Sequence, residues 1–209
     1  MLHQLCRRPV TVAEAEAIAG TLSRPSKMPC RGYSIPAAAC HAGSKLVNIP
    51  GSTCHSCYAL KGRYRMPNVK RMLAFRLQSL THPWWTAAMI LLIARQRSGW
   101  FRWHDAGDLQ SLQHLLNIMA IAAALPEIRF WLPTREVALV RQAGPMPPNL
   151  TVRVSATMVD GPLPSSLLTS SVVTSEANVT CPAHHQAMHC GDCRQCWDPT
   201  VKNVSYLKH

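Results

Sequence analysis

Residues 100–134 read WFRWHDAGDLQSLQHLLNIMAIAAALPEIRFWLPT, and this stretch decides the fold class. It begins with a short aromatic run, Trp100–His104, that predicts a strand. An apolar segment with helical periodicity, 112–125, follows it and ends before Pro126. A second short apolar run, Ile128–Leu132, predicts another strand, which we expect Pro133 to end. A strand, a helix and a strand joined by short loops predict two parallel strands with a crossover helix.

The same alternation extends in both directions from this unit. The apolar periodicity predicts helices over 68–80, 84–96 and 135–142, and strands over 150–154 and 171–174. These units are too few for an eight-fold barrel, so we expect an α/β fold, either a partial barrel or an open, mostly parallel sheet. We expect a single domain, 1–209, in which cysteine-containing segments, 1–60 and 178–209, flank an α/β core, 61–177. We expect the second segment, the tail, to be loop-like.

Charge is distributed unevenly along the 209 residues. The formal net charge is +12, and residues 17–104 contain 13 Lys and Arg but no Asp or Glu. A one-sided positive field favours a polyanionic partner, nucleic acid first. A hydrophobic content of 47% argues against disordered, collagenous and coiled-coil chains. No apolar run reaches membrane-spanning length and the first residues lack a secretory signal, so we expect a cytoplasmic protein with no membrane contact.

Basic and aromatic residues alternate just after Cys57. This pattern suits a phosphate backbone with a stacking surface, although a charge run can also be only a solvated face. The candidate nucleic-acid contacts are Lys61, Arg63, Tyr64, Arg65, Lys70 and Arg71.

Eight of the nine cysteines form two groups along the chain, and Cys6 stands apart. Near the C-terminus, three cysteines follow one another at intervals of three, the spacing of ferredoxin-type iron–sulfur loops, and a Cys-Pro pair lies nearby. Clustered cytosolic cysteines favour metal ligands over disulfides. We therefore expect a [4Fe-4S] cluster here, with a structural zinc tail as the alternative. The candidate ligands are Cys181, Cys190, Cys193 and Cys196.

The N-terminal group is looser, because only Cys54 and Cys57 have tight metal-ligand spacing. Loop-forming Pro and Gly residues between its members are compatible with a chain folded around a cofactor. The alternatives are a zinc knuckle, buried thiols without a metal, or one cluster shared between the two groups. The candidate ligands are Cys30, Cys40, Cys54 and Cys57.

Polar clusters follow three of the predicted strands. Ligands of parallel sheets and barrels bind at the carboxyl ends of the strands, so these groups are expected to converge on one pocket. They offer a His/Asp acid–base pair and an arginine clamp for an anion. The candidate catalytic residues are His104, Asp105, Asp108, Arg135, Glu136, Arg153 and Ser155.

Five of these stretches resemble the "gene product 88" family of phages and plasmids. They are 54–69, 101–111, 129–136, 149–156 and 190–199. The resemblance runs from about residue 22 to the C-terminus. It implies a protein of a phage or mobile element, which would act in the host cytoplasm. It implies little about the activity of the protein.

A more distant resemblance is to radical-SAM-type proteins, which combine a partial barrel with a three-cysteine cluster loop and often carry an extra C-terminal cluster. It implies Cys40, Cys54 and Cys57 as cluster ligands and S-adenosylmethionine as cosubstrate. This sequence departs from the pattern, because 13 residues separate Cys40 from Cys54 where three are usual. Cys30 is also free to fill the fourth iron position, which would leave no iron open to S-adenosylmethionine.

Two functions follow from these observations. The first is an iron–sulfur enzyme, radical-SAM-like, that acts on nucleic acid or a nucleotide. The second is a non-enzymatic iron–sulfur or zinc module that binds nucleic acid or a host protein through its basic half.

Overall fold

The computed structural model describes residues 7–208, and six parallel strands form its sheet. Their spatial order is their order along the chain, so each strand lies beside the one before it. The strands are β1 (Arg31–Tyr33), β2 (Trp100–Trp103), β3 (Arg129–Thr134), β4 (Leu150–Ser155), β5 (Thr169–Val173) and β6 (Asn203–Leu207).

Six α-helices accompany the sheet. They are α1 (Val12–Ala19), α2 (His41–Leu46), α3 (Pro67–Ser79), α4 (Trp85–Ala94), α5 (Leu112–Ala124) and α6 (Val137–Ala143). Sequential parallel strands with crossovers of one hand place their connecting helices on one face of the sheet. Accordingly, one continuous core joins α1, α4, α5 and α6 to the side chains of Phe101, Trp103, Phe130 and Leu132.

The opposite face of the sheet carries a second, smaller core. Trp131 of β3 packs there with Trp197, Val204, Cys30 and Cys196. Successive side chains of a strand point to opposite faces, which is why Trp131 belongs to this core while its neighbours belong to the helix side. The cysteine-rich tail therefore covers the face of the sheet that the helices leave free.

The expected α/β fold with a parallel sheet is confirmed, and the elements predicted within 68–174 are present with ends shifted by at most two residues. Two expectations are wrong. Pro133 does not end β3, which continues to Thr134, because a proline near a strand end removes only its own donor. The tail is not wholly loop, since its last residues form β6 beside β5.

Sequence reasoning did not anticipate α1, β1 or α2. Cys6 lies outside the described residues. None of the helices in residues 7–208 is both long enough and apolar enough to cross a membrane.

Candidate metal centres and a neighbouring cavity

The loop that carries three of the N-terminal cysteines follows β1 and lies over the carboxyl ends of β2, β3 and β4. The amide of Ile35 donates to the carbonyl of Ala106, which follows β2. The Glu136 carboxylate, which follows β3, accepts from the amide of Ala42 at 2.9 Å. The amide of Thr53 donates to the carbonyl of Thr157, which follows β4. The loop is thus fixed at the edge where parallel sheets bind ligands.

Three thiols of this loop face one another. A Cβ placed on Gly43 would lie 3.7 Å from the Cys40 sulfur and 3.6 Å from the Cys54 sulfur. Cys57 is one turn beyond Cys54, its amide donating to the Cys54 carbonyl at 3.1 Å. Burial, and to a smaller extent the neighbouring charges of Asp108, Cys57 and Cys54, raise the pKa of Cys40 to about 12. We call Cys40, Cys54 and Cys57 the first thiol set.

The polar groups predicted at the strand ends hold this loop in place. Asp108 is buried and accepts from the Thr134 hydroxyl at 2.6 Å and from the Arg135 amide at 2.9 Å. The Arg135 guanidinium donates to the Thr53 hydroxyl at 2.7 Å. Ser155 shares a 2.9 Å hydrogen bond with Ser170. Three of the predicted catalytic residues, Asp108, Arg135 and Glu136, therefore support the first thiol set.

Cys30 does not join the first set. It is buried in the smaller core with Cys196, on the face of the sheet that the tail covers. Burial raises the pKa of Cys30 to about 12, and the charge of Cys190 acts in the same direction. The amide of Cys190 donates to the Lys27 carbonyl at 3.1 Å, which ties the tail to the segment before β1.

Five thiols therefore gather around the tail. Burial and the charges of Cys181 and Cys193 raise the pKa of Cys190. In the same way, the charges of Cys181 and Cys190 raise the pKa of Cys196. Burial raises the pKa of Cys196 to about 12. The second thiol set consists of Cys30, Cys181, Cys190, Cys193 and Cys196.

The spacing of the sulfurs distinguishes a single ion from a cluster. A tetrahedral zinc ion with bonds of about 2.3 Å holds its sulfurs about 3.8 Å apart. Within residues 7–208, no three thiol sulfurs lie within 4.8 Å of one another. A cubane with one thiolate on each iron holds its sulfurs farther apart than a single ion does.

Raised pKa values also limit what these thiols can do without a metal. A thiol with a pKa of about 12 is protonated at neutral pH and is a poor nucleophile. A bound metal stabilises the thiolate instead. Without a metal, Cys30, Cys40 and Cys196 are therefore poorly suited to nucleophilic catalysis.

Arg153, predicted as an anion clamp, is fully buried and organises the tail. Its guanidinium donates to five backbone carbonyls at distances between 2.7 and 3.3 Å. A guanidinium has five N–H donors, and these bonds use its whole donor capacity. The accepting carbonyls belong to Cys196, Thr169, Val201, Gln195 and Asp198.

A cavity of about 640 Å³ opens beside the second thiol set, and Cys181 and Cys190 line it. Arg102, which sequence reasoning passed over, lies in its wall with its guanidinium 4.5 Å from the centre of the Trp131 ring. Its Nη1 donates to the Met28 sulfur at 3.2 Å, and its Nε has no partner among the described residues. Within the described chain, no carboxylate lies within 4.0 Å of it. The sequence does not mark Arg102 as a ligand-binding residue. The alternation of side chains along β2 shows that Arg102 and its neighbours point to opposite faces, but it does not show which face binds a ligand.

Tyr58, Tyr64 and Asp105 form another part of the cavity wall. The Tyr64 hydroxyl donates to the Asp105 carboxylate at 2.7 Å, and the Tyr58 hydroxyl donates to the Asp105 carbonyl. Of the predicted nucleic-acid contacts, Arg63 and Tyr64 line the cavity. The others are exposed outside it and consist of Lys61, Arg65, Lys70 and Arg71.

His104, predicted as an acid–base group, lies on the helix side of the sheet and is not among the described residues that line the cavity. Its ring lies 5.2 Å from that of His114, between centroids, and both side chains are buried. Burial lowers the pKa of His114 to about 3 and holds the pKa of His104 well below its usual range. Both rings are therefore neutral at physiological pH.

This pair predicts a loss of stability in acid. Because the folded-state pKa of each histidine lies below its unfolded value of about 6.5, its stabilising contribution is complete above that pH and decreases below it. When the pH falls from 7 to 5, we expect each ring to lower the free energy of unfolding by about 2 kcal/mol. His114→Gln should remove about half of this dependence, as measured by urea unfolding at both pH values. An identical pH dependence in the variant would contradict the assignment.

Comparison with known proteins gives one match. The family model described as Gene product 88 matches residues 3–199. No curated protein and no solved structure matches the chain.

Proposed function

This chain belongs to the Gene product 88 family, and we propose that it is an iron–sulfur enzyme that cleaves S-adenosylmethionine to act on nucleic acid or a nucleotide. One observation carries the proposal: Cys30 lies with the second thiol set, so within residues 7–208 the first set consists of three thiols. Cys40, Cys54 and Cys57 would hold the cluster, and the cluster would supply an electron, taken from an external reductant, for the reductive cleavage of S-adenosylmethionine to methionine and 5′-deoxyadenosine.

Three thiols are what an open cluster needs. A [4Fe-4S] cluster has four irons, and three protein ligands leave one iron for a substrate. The second set has five thiols for four positions, so it can complete a cluster without drawing on Cys40, Cys54 or Cys57. If Cys30 faced the first set, its thiolate could bind the fourth iron, and no iron would remain to bind a substrate.

The unusual spacing between Cys40 and Cys54 has a structural account. The intervening residues form α2 and then a turn at Gly51, whose φ of +80° favours glycine. The chain thus leaves the site and returns to it, so Cys54 comes back beside Cys40. The loop between Cys40 and Cys54 is longer than the usual three residues, but it still brings the two thiols to the same place.

The cavity supports an anionic, ring-containing substrate. Arg102 and Arg63 offer guanidinium groups for phosphate, and Tyr58 and Tyr64 offer aromatic faces for a base. Cys181 and Cys190 of the second set also line it, and Tyr58 directly follows Cys57 of the first set. A nucleotide bound there would lie beside the second proposed cluster and would contact the residue that follows Cys57.

The alternative is a module that binds nucleic acid or a host protein without catalysis. It is favoured by the exposed basic residues outside the cavity, on α3 and the turn before it, which catalysis at the cavity does not require. Binding of this kind weakens steeply with salt, because phosphate contacts release counterions. Retention of DNA or RNA that is salt-dependent, together with no cleavage of S-adenosylmethionine, would favour this alternative.

Anaerobic reconstitution tests the enzyme. We expect about eight irons and eight sulfides per chain, and release of 5′-deoxyadenosine from S-adenosylmethionine after reduction by dithionite. Cys54→Ser should lose about half of the iron and all of the 5′-deoxyadenosine. Cys30→Ser is the matched control, because five thiols serve four positions, and it should keep the activity.

Two results would overturn this assignment. Stoichiometric zinc without iron would exclude the clusters. Loss of 5′-deoxyadenosine release in Cys30→Ser with full activity in Cys54→Ser would show that the thiols divide differently.

A further inference from the structure

Three metal-ligating side chains converge just before the second thiol set. They are Glu176, after β5, and two consecutive histidines, His184 and His185. One ligand atom from each lies within 4.8 Å of the other two. The Glu176 Oε1 is 3.4 Å from Nε2 of His184 and 3.2 Å from Nε2 of His185.

His184 is oriented as a metal ligand would be. Its Nδ1 lies 2.9 Å from the carbonyl oxygen of Cys181, which can only accept, so Nδ1 carries the proton of that hydrogen bond. In a neutral ring Nε2 then presents a lone pair. The side chain is 10% exposed, and Nε2 is buried without a hydrogen-bond partner among the described residues. A backbone carbonyl that fixes the tautomer in this way is the usual second partner of a metal-bound histidine.

A cation would fit the gap that these ligand atoms enclose. Nε2 of His184 lies 3.4 Å from the Glu176 carboxylate oxygen without a hydrogen bond to it, and the ring of His185 lies beside that of His184 with the centroids 3.8 Å apart. One divalent ion would satisfy all three ligand atoms together.

We propose that Glu176, His184 and His185 bind one divalent metal ion of the zinc type. Two imidazoles and one carboxylate form a three-ligand site with an open position, the composition of catalytic zinc centres. His184 also lines the cavity, so the site lies at its wall. This proposal stands independently of the proposed function, because its residues belong to neither thiol set.

The test measures zinc in the reconstituted protein. The protein is equilibrated with zinc, and the affinity is measured by competition with a chromogenic chelator while metal analysis follows zinc, iron and sulfide. We expect one zinc ion per chain in addition to the iron. His185→Ala and Glu176→Gln, both at exposed positions, should weaken zinc binding by about 100-fold or more without changing iron or sulfide.

His189→Ala is the matched control, since His189 is exposed in the same segment and outside the triad; it should bind zinc as the parent does. Unchanged zinc affinity in the double variant Glu176→Gln/His185→Ala would overturn the site and indicate an ion pair only. Loss of iron along with zinc in His185→Ala would also overturn it, by placing the imidazole on the second iron site. Neither result depends on cleavage of S-adenosylmethionine.

Discussion

Arg153→Met is expected to lower the free energy of unfolding by about 4 kcal/mol or more. The substitution removes five charge-assisted hydrogen bonds and leaves the accepting carbonyls without their donor. Arg153 itself is fully buried, so water does not readily replace it. Unsatisfied buried acceptors are costly because their desolvation is no longer compensated.

The same variant should also lose iron from the second thiol set. The guanidinium binds the carbonyls of Gln195, Cys196 and Asp198, the turn that carries the last of the tail cysteines. Denaturant unfolding and iron analysis, performed on one preparation, measure both effects. We expect about half of the iron to remain, in the first set.

Arg129→Met serves as the control, because Arg129 lies in the adjacent β3 and is exposed. Its stability should change by no more than about 0.5 kcal/mol. Arg153→Lys should lie between the two, since an ammonium has only three donors. Full iron content in Arg153→Met would contradict the organising role.

Gly107→Ala is the second substitution with a large expected effect. Gly107 has a φ of +84°, and an added Cβ would lie 2.3 Å from the Cγ1 of Ile35 and 2.7 Å from its carbonyl oxygen. Ile35 is fully buried and precedes the loop of the first thiol set. Because the backbone of Ile35 must move to admit a methyl group, we expect this variant to displace that loop and lose the iron of the first set.

Gly144→Ala separates the two costs of this change. Gly144 has a similar φ of +77°, but nothing lies within 4 Å of the position of its Cβ. It therefore carries the backbone strain without the steric overlap. Gly107→Ala should be less stable than Gly144→Ala by about 3 kcal/mol, and only Gly107→Ala should lose iron. Equal stability and equal iron content in the two variants would contradict the steric argument.

The central part of the fold could be predicted from the sequence. The strands β2, β3 and β4 and the helix α5 follow from short apolar runs that alternate with helical periodicity, and both signals are local. The same holds for the tail motif, because Cys190, Cys193 and Cys196 lie close together along the chain.

The roles of the polar residues could not be predicted in this way. Arg153 and Arg102 each lie in a strand. The guanidinium of Arg153 donates to carbonyls of the tail, whereas that of Arg102 faces the cavity. His104 follows the same strand as Asp105, yet it is buried on the helix side. Which face a side chain takes depends on the pairing of the strands and on what covers each face.

The sequence by itself determined which local elements form and which cysteines belong to one tight motif, because those depend on neighbours a few residues apart. Only the tertiary structure decided that Cys30 joins the tail, some 150 residues away along the chain, and that Cys40, Cys54 and Cys57 remain as three. The physical reason is that β1 and β6 each enter the sheet at a place set by long-range pairing. Spacing along the chain does not encode such contacts, and the number of thiols at each site follows from them.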